Sequence, residues 1–135
     1  MLGTVLALAA LHLIMWVALY ATRIPAMIHM KISARRLAKP GVRDTLPDWA
    51  RNVADNYNHL AEAPTVFYAV VIVLVLLKQD DALNTALAWT YVGLRVVHSL
   101  IQATFNNILL RFSVFSVSWL VLGGLIVRGL AGLYG

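Results

Sequence analysis

The 135-residue chain reads as an all-α membrane protein, a bundle of four transmembrane helices forming one domain over residues 1–135. Hydrophobic residues make up 61% of it and the mean hydropathy is +0.77, far above an ordinary soluble domain. Apolar runs long enough to cross a hydrocarbon core of ~30 Å recur between polar or proline-broken segments. The polar residues inside those runs fall at helical spacing, not at the alternation of a strand.

The first run, Met1 to about Thr22, has His12 as its only ionisable side chain. It lacks the basic start and small-residue cleavage site of a signal peptide and is expected to remain as a helix. A lone histidine among Leu and Ala reads as a packed neutral group bonded to a neighbouring helix. From Arg23 to Arg51 the character changes: Arg23, Lys31, Arg35, Arg36, Lys39, Arg43 and Arg51 stand against only Asp44 and Asp48, with Pro25, Pro40-Gly41 and Pro47 as breaks. A loop this basic belongs on the cytoplasmic side, in a prokaryote the inner face of the inner membrane, which places both termini outside. Arg23 and Arg51 at its edges are placed either to snorkel to headgroups or to turn toward a ligand.

Pro47-Asp48-Trp49 starts a second helix that runs to about Leu77. In its first half Asn52, Asp55, His59 and Glu62 share an arc of roughly 80°, and Pro64 predicts a kink beside Glu62. Lys78-Gln79-Asp80-Asp81 is an outer turn. The third helix begins near Ala82, carries the interfacial aromatics Trp89 and Tyr91, and ends before Asn106-Asn107. The fourth runs from about Leu109 to Leu130, with Arg111 at its start and Gly123-Gly124 suited to close helix contact.

The informative stretch is Leu94 to Phe112. Arg95, His98, Gln102 and Asn106 fall within roughly 80° of one helix face, a polar stripe inside otherwise membrane-embedded sequence. A charged side chain at the bilayer centre costs ~2.5–3.5 kcal/mol on insertion scales, so such groups face the bundle interior or a wet cavity and are functional candidates. A Glu62–Arg95 pair is the simplest neutralisation. Several cations with one carboxylate and imidazole or amide donors suit a small zwitterionic or polyanionic ligand entering from the cytoplasm. The chain has no cysteine, so no protein thiol serves as nucleophile or metal ligand, and any thiol chemistry depends on sulfur from a ligand. Basic residues exceed acidic ones by 11 to 6, but they gather in the one loop; no nucleic-acid module and no metal site is expected.

NHLAEAPTVFY in the second helix, LAWTYVGLRVVHSLI in the third and RFSVFS in the fourth resemble the membrane-associated proteins in eicosanoid and glutathione metabolism, the MAPEG family, in its bacterial form. The resemblance implies a homotrimer of four-helix protomers with glutathione between neighbouring subunits near the cytoplasmic face. It assigns Glu62, His98, Gln102 and Arg23 to glutathione contacts and gives Arg111 the part of stabilising the thiolate. Arg51, Asn58, His59, Arg95 and Ser113 complete the expected binding set. Asp55 and His59 stand where well-known members carry Arg and Asn, and Gln102 where a tyrosine often stands. Two readings follow: a glutathione-dependent transferase or peroxidase for lipophilic electrophiles arriving through the bilayer, or a non-catalytic relative whose polar cavity holds a lipid headgroup or other anion or only cements the trimer. Phe112, Phe115 and Trp119 read as lipid-facing or packing residues.

Overall fold

Unbroken apolar sequence carries the first helix, α1 (Leu2–His29), through Pro25 and seven residues beyond the end expected at Thr22. The missing proline N–H removes one ladder bond, a loss that membrane helices tolerate. Packing supplies the reason to continue: Ala26 is buried against Leu37, Leu46 and Ala50 in a small second core. The computed structural model describes residues 1–135.

The basic loop is therefore shorter than its composition implies, and it is folded. It contains a single helical turn, α2 (Ala34–Leu37), whose Ser33 hydroxyl accepts the Arg36 N–H at 3.3 Å, and a 3₁₀ turn over Arg43–Thr45. Gly41 turns the chain at φ +78°, where a side chain would be strained. α3 (Asp48–Glu62) and α4 (Thr65–Leu76) are interrupted at Ala63-Pro64, the kink that the proline predicts. A turn leads to α5 (Ala82–Ala103), and a four-residue connection leads to α6 (Ile108–Tyr134).

Three segments are long and apolar enough to cross a membrane: α1, the α3–α4 unit and α6. α5 does not qualify on composition, because its inward seam is polar. Along it Asn84, Ala88, Tyr91, Arg95, His98 and Gln102 are buried at alternating steps of four and three, the spacing that keeps one side of a helix against its neighbours. The main core joins Leu8 and Leu19 of α1, Leu60 of α3, Phe67 and Val71 of α4, Tyr91 of α5 and Leu122 of α6. Phe67 and Tyr91 stack nearly parallel at 4.3 Å. Leu6, Ile14, Leu76, Leu109 and Leu120 point outward, as a lipid-facing surface requires.

At the end of the bundle away from the basic loop, α5 and α6 are clamped by polar groups. Asp81 caps α5 by accepting the Asn84 N–H at 2.8 Å, and Arg128 of α6 donates to the Asn84 side-chain oxygen at 2.6 Å and to Asp81 at 3.1 Å. The Asn84 N–H, and after it Arg128, hold the Asp81 carboxyl below its ordinary value. Its contribution is present at neutral pH and is lost only as pH falls below the usual carboxylate range. Asn84 is buried, so Arg128→Met leaves its oxygen unpaired. The expected cost is about 1–3 kcal/mol, read as a lower unfolding midpoint in detergent; an unchanged midpoint rules the clamp out as a stabilising contact.

Candidate functional site

The tight α5–α6 connection decides where the predicted stripe goes. Asn106 adopts φ +46°, a left-handed conformation that Asn tolerates better than most residues, and Asn107 caps α6 by accepting the Leu110 N–H at 3.0 Å. The reversal lays the first turn of α6 on the last turns of α5. His98 Nδ1 meets the Arg111 backbone oxygen at 3.2 Å, and its Nε2 meets the Gln102 side-chain amide at 3.2 Å. Both partners are acceptor oxygens, so a neutral imidazole, with one N–H, donates to one of them at a time.

The Arg111 guanidinium donates to Asn106 Oδ1 at 2.6 Å, and the Asn106 amide donates to Asn52 Oδ1 on α3 at 3.0 Å. A relay of amides positions this cation. No carboxylate lies within ion-pair distance of it, since the three ion pairs of the chain are Arg43–Asp55, Arg51–Asp48 and Arg128–Asp81. His59, His98, Gln102, Ile108, Arg111, Phe112 and Phe115 line a cleft of about 210 Å³. The His59 and His98 rings lie 4.9 Å apart, and Phe115 closes the site 5.2 Å from His59. The cleft is a cation and polar hydrogen-bonding groups on one side and aromatic carbon on the other, suited to an anion attached to, or meeting, an apolar group.

Other predicted residues stand elsewhere. Arg95 is fully buried, yet all three guanidinium nitrogens lack an acceptor; its nearest compensation is the Phe115 ring, 5.7 Å from Cζ to centroid. The expected Glu62–Arg95 ion pair is corrected: Glu62 is exposed. The reason is rotation of α3. Val53, Ala54 and Leu60 reach the core and Asn52 and Asn56 are buried beside them, with His59 against His98 of α5 and Asp55 and Glu62 turned out. Arg51, in the first turn of α3, is bonded to the Asp48 carboxylate and to the Asp44 carbonyl at 2.9 Å, and does not reach the cleft. Arg23 and Asn58 line a separate cleft beside α1. The Ser113 hydroxyl donates back to the Leu109 carbonyl at 2.9 Å. His12 packs against Tyr57 of α3 at 4.8 Å without the expected hydrogen bond.

Two groups in this region escaped the sequence reading. Asn56 is fully buried with neither amide atom partnered, and Ser99 is buried with a free hydroxyl. The four-residue step from Asn52 to Asn56 was the available signal for the first. Phe115, read as lipid-facing or packing, packs as a wall of the cleft, and Phe112 joins it there.

A sequence model described as the MAPEG family matches residues 1–131 of the chain. Neither the curated proteins nor the solved structures contain a match to it.

The relay through Asn106 is separable from the backbone that carries it. Asn106→Gly keeps the left-handed turn while removing the amide that binds Arg111 and Asn52. A charge-assisted bond of this kind is worth about 1.5–3 kcal/mol, so the variant should unfold at correspondingly lower denaturant; unchanged stability means the relay does not hold the α5–α6 hairpin to α3.

Proposed function

Because the chain belongs to the MAPEG family, a family of membrane proteins in glutathione and eicosanoid metabolism, we propose that it is a glutathione-dependent transferase or peroxidase acting on lipophilic electrophiles. One observation carries the reading: Arg111 presents a guanidinium to the cleft with an amide, not a carboxylate, as its side-chain partner. A thiolate placed there supplies the missing negative charge.

The chemistry follows from the thiol's acidity. An unperturbed thiol has a pKa near 8.5 and is only about 3% thiolate at pH 7; each unit of lowering, worth ~1.4 kcal/mol, multiplies the nucleophile nearly tenfold at first. The thiol proton passes to solvent, Arg111 stabilises the sulfur anion, and a carbon–sulfur bond forms as the leaving group departs from the electrophile. His98 and Gln102 orient the peptide, while Phe112 and Phe115 offer apolar surface to the electrophile. Arginine keeps its charge in such surroundings, where lysine readily loses it.

The single-chain cleft, about 210 Å³, is smaller than the ~300–1,000 Å³ of sites that enclose a whole ligand. The remainder of the tripeptide then rests on a second subunit, which fits a homotrimer of four-crossing protomers. In that arrangement exposed Glu62 faces across the subunit boundary, available to the glutathione ammonium. α5 makes the fourth crossing with its polar seam turned inward, the basic loop lies in the cytoplasm and both termini lie outside.

A second reading has its own support. Arg111 is the one arginine or lysine lining the cleft, and Arg51 is bonded to Asp48 and the Asp44 carbonyl instead, so the chain itself offers little to hold a peptide with two carboxylates. Under this reading the protein is non-catalytic and the cavity takes another anion or serves assembly alone.

Calorimetry with glutathione and turnover of 1-chloro-2,4-dinitrobenzene, in which chloride leaves as the carbon–sulfur bond forms, separate the two. Arg111→Ala should reduce kcat/KM by about two orders of magnitude, as loss of one preorganised charge-stabilising donor does. Absence of glutathione binding together with an Arg111→Ala rate equal to wild type would falsify the enzymatic reading.

A further inference from the structure

Two helices of the bundle end in the same backbone motif, with opposite charge around it. After α1, Lys31 takes a left-handed φ of +53°; its N–H reaches the Ile28 carbonyl at 3.2 Å and the Ile32 N–H reaches Met27 at 2.9 Å. After α4, Lys78 takes φ +57°, with its N–H on Val75 at 3.0 Å and the Gln79 N–H on Leu74 at 2.8 Å. Both lysines are exposed. Lys78 is followed by Asp80 and Asp81, whereas Lys31 is followed by Arg35, Arg36 and Lys39.

The cations near Lys31 are uncompensated and rigidly carried. Lys31, Arg35, Arg36 and Lys39 are all exposed and none enters an ion pair. Between residues 31 and 51 the one carboxylate outside an ion pair is Asp44. Leu37 of α2 is buried with Ala26, Leu46 and Ala50, and Met27 and Ile32 pack against them, so the charges stand on a folded cap and not on a loose tether. Apolar surface adjoins them directly. Ile24, Met27, Ile28 and Ile32 floor a depression of about 320 Å³, with Lys31 and Ser33 at its rim, and Ile24 and Ile28 face outward from α1. Trp49, exposed in the first turn of α3 at the same end of the bundle, is an aromatic of the kind that sits at the membrane interface.

We propose that this rim docks an anionic phospholipid of the adjoining leaflet, its phosphodiester at Lys31 within the field of Arg35, Arg36 and Lys39, and an acyl chain across Ile24 and Ile28. Charge and polarity both select this occupant. Four cations next to a membrane helix attract an anionic headgroup and repel the ammonium of a zwitterionic one. A soluble acidic partner would answer the charge but leave the exposed isoleucines uncovered, while a lipid presents phosphate and hydrocarbon in the order the surface does. Cations already held by a folded cap lose less freedom on binding than those of a flexible segment. None of the residues assigned to glutathione lines this depression, and the site is independent of that reading.

Native mass spectrometry of the full chain from mixed micelles tests the assignment, with dioleoyl phosphatidylglycerol, dioleoyl phosphatidylcholine and inorganic phosphate as probes. Phosphatidylglycerol should be retained at least tenfold over phosphatidylcholine. Lys31→Gln should lower its retention severalfold, Lys31→Arg should preserve it, and Lys78→Gln, which removes the same charge from the same backbone motif at the opposite end, should leave it unchanged. Equal retention of the two phospholipids overturns the site. So does an equal loss in both glutamine variants, since net charge alone then governs retention, or a Lys31→Gln variant that behaves as wild type. Displacement of phosphatidylglycerol by excess inorganic phosphate refutes it too, because the acyl chain then contributes nothing. Should Lys31→Gln not fold, Arg35→Gln/Lys39→Gln on the exposed loop decides: a severalfold loss supports the site and no change refutes it.

Discussion

Everything in this bundle depends on keeping cations in a low-dielectric interior without a carboxylate to neutralise them. Arg95 lies wholly inside the chain and Arg111 partly so, and neither forms an ion pair. Water or amides satisfy hydrogen-bond donors, but only an anion or the negative face of an aromatic ring offsets the charge itself. The Phe115 ring is placed to do this for Arg95. Arg111 instead lines the cleft, with the Asn106 amide as its side-chain partner.

The fold can be understood as support for that arrangement. Polar residues on α5 recur at seam spacing, so the helix is buried along its polar side, and the side facing outward carries Leu83, Trp89, Val97 and Leu100. The short reversal at Thr104–Asn107 then sets the first turn of α6 on His98, and the amide pair Asn106–Asn52 ties the reversal to α3. At the opposite end Asp81, Asn84 and Arg128 repeat the device with a complete ion pair. One end is closed in charge and hydrogen bonding; the other is left one anion short.

The two clefts divide the arginines by role. Arg111 stands among imidazoles and phenyl rings in a small cleft, while Arg23 and Arg43 line a wider one between α1 and α3. Arg51, similar in sequence context to Arg23, is spent on the loop itself through Asp44 and Asp48. Position in sequence therefore says little about what a basic residue at a membrane edge holds; the acceptor it finds decides.

The residues alone determined the helical membrane character, the kink at Pro64, the burial of Arg95, His98 and Gln102, and the family, because hydrophobic period and the cost of burying charge act locally along a helix. They did not determine the α1 end, which tertiary contacts of Ala26 extend to His29, nor the facing of α3, where a rotation of about one residue turns Glu62 outward and Asn56 inward. They also did not show that Arg23 and Asn58 share a cleft apart from Arg111. Those outcomes rest on which side chains fill the space between helices, and a pattern read along one helix contains no information about the shape of its neighbours.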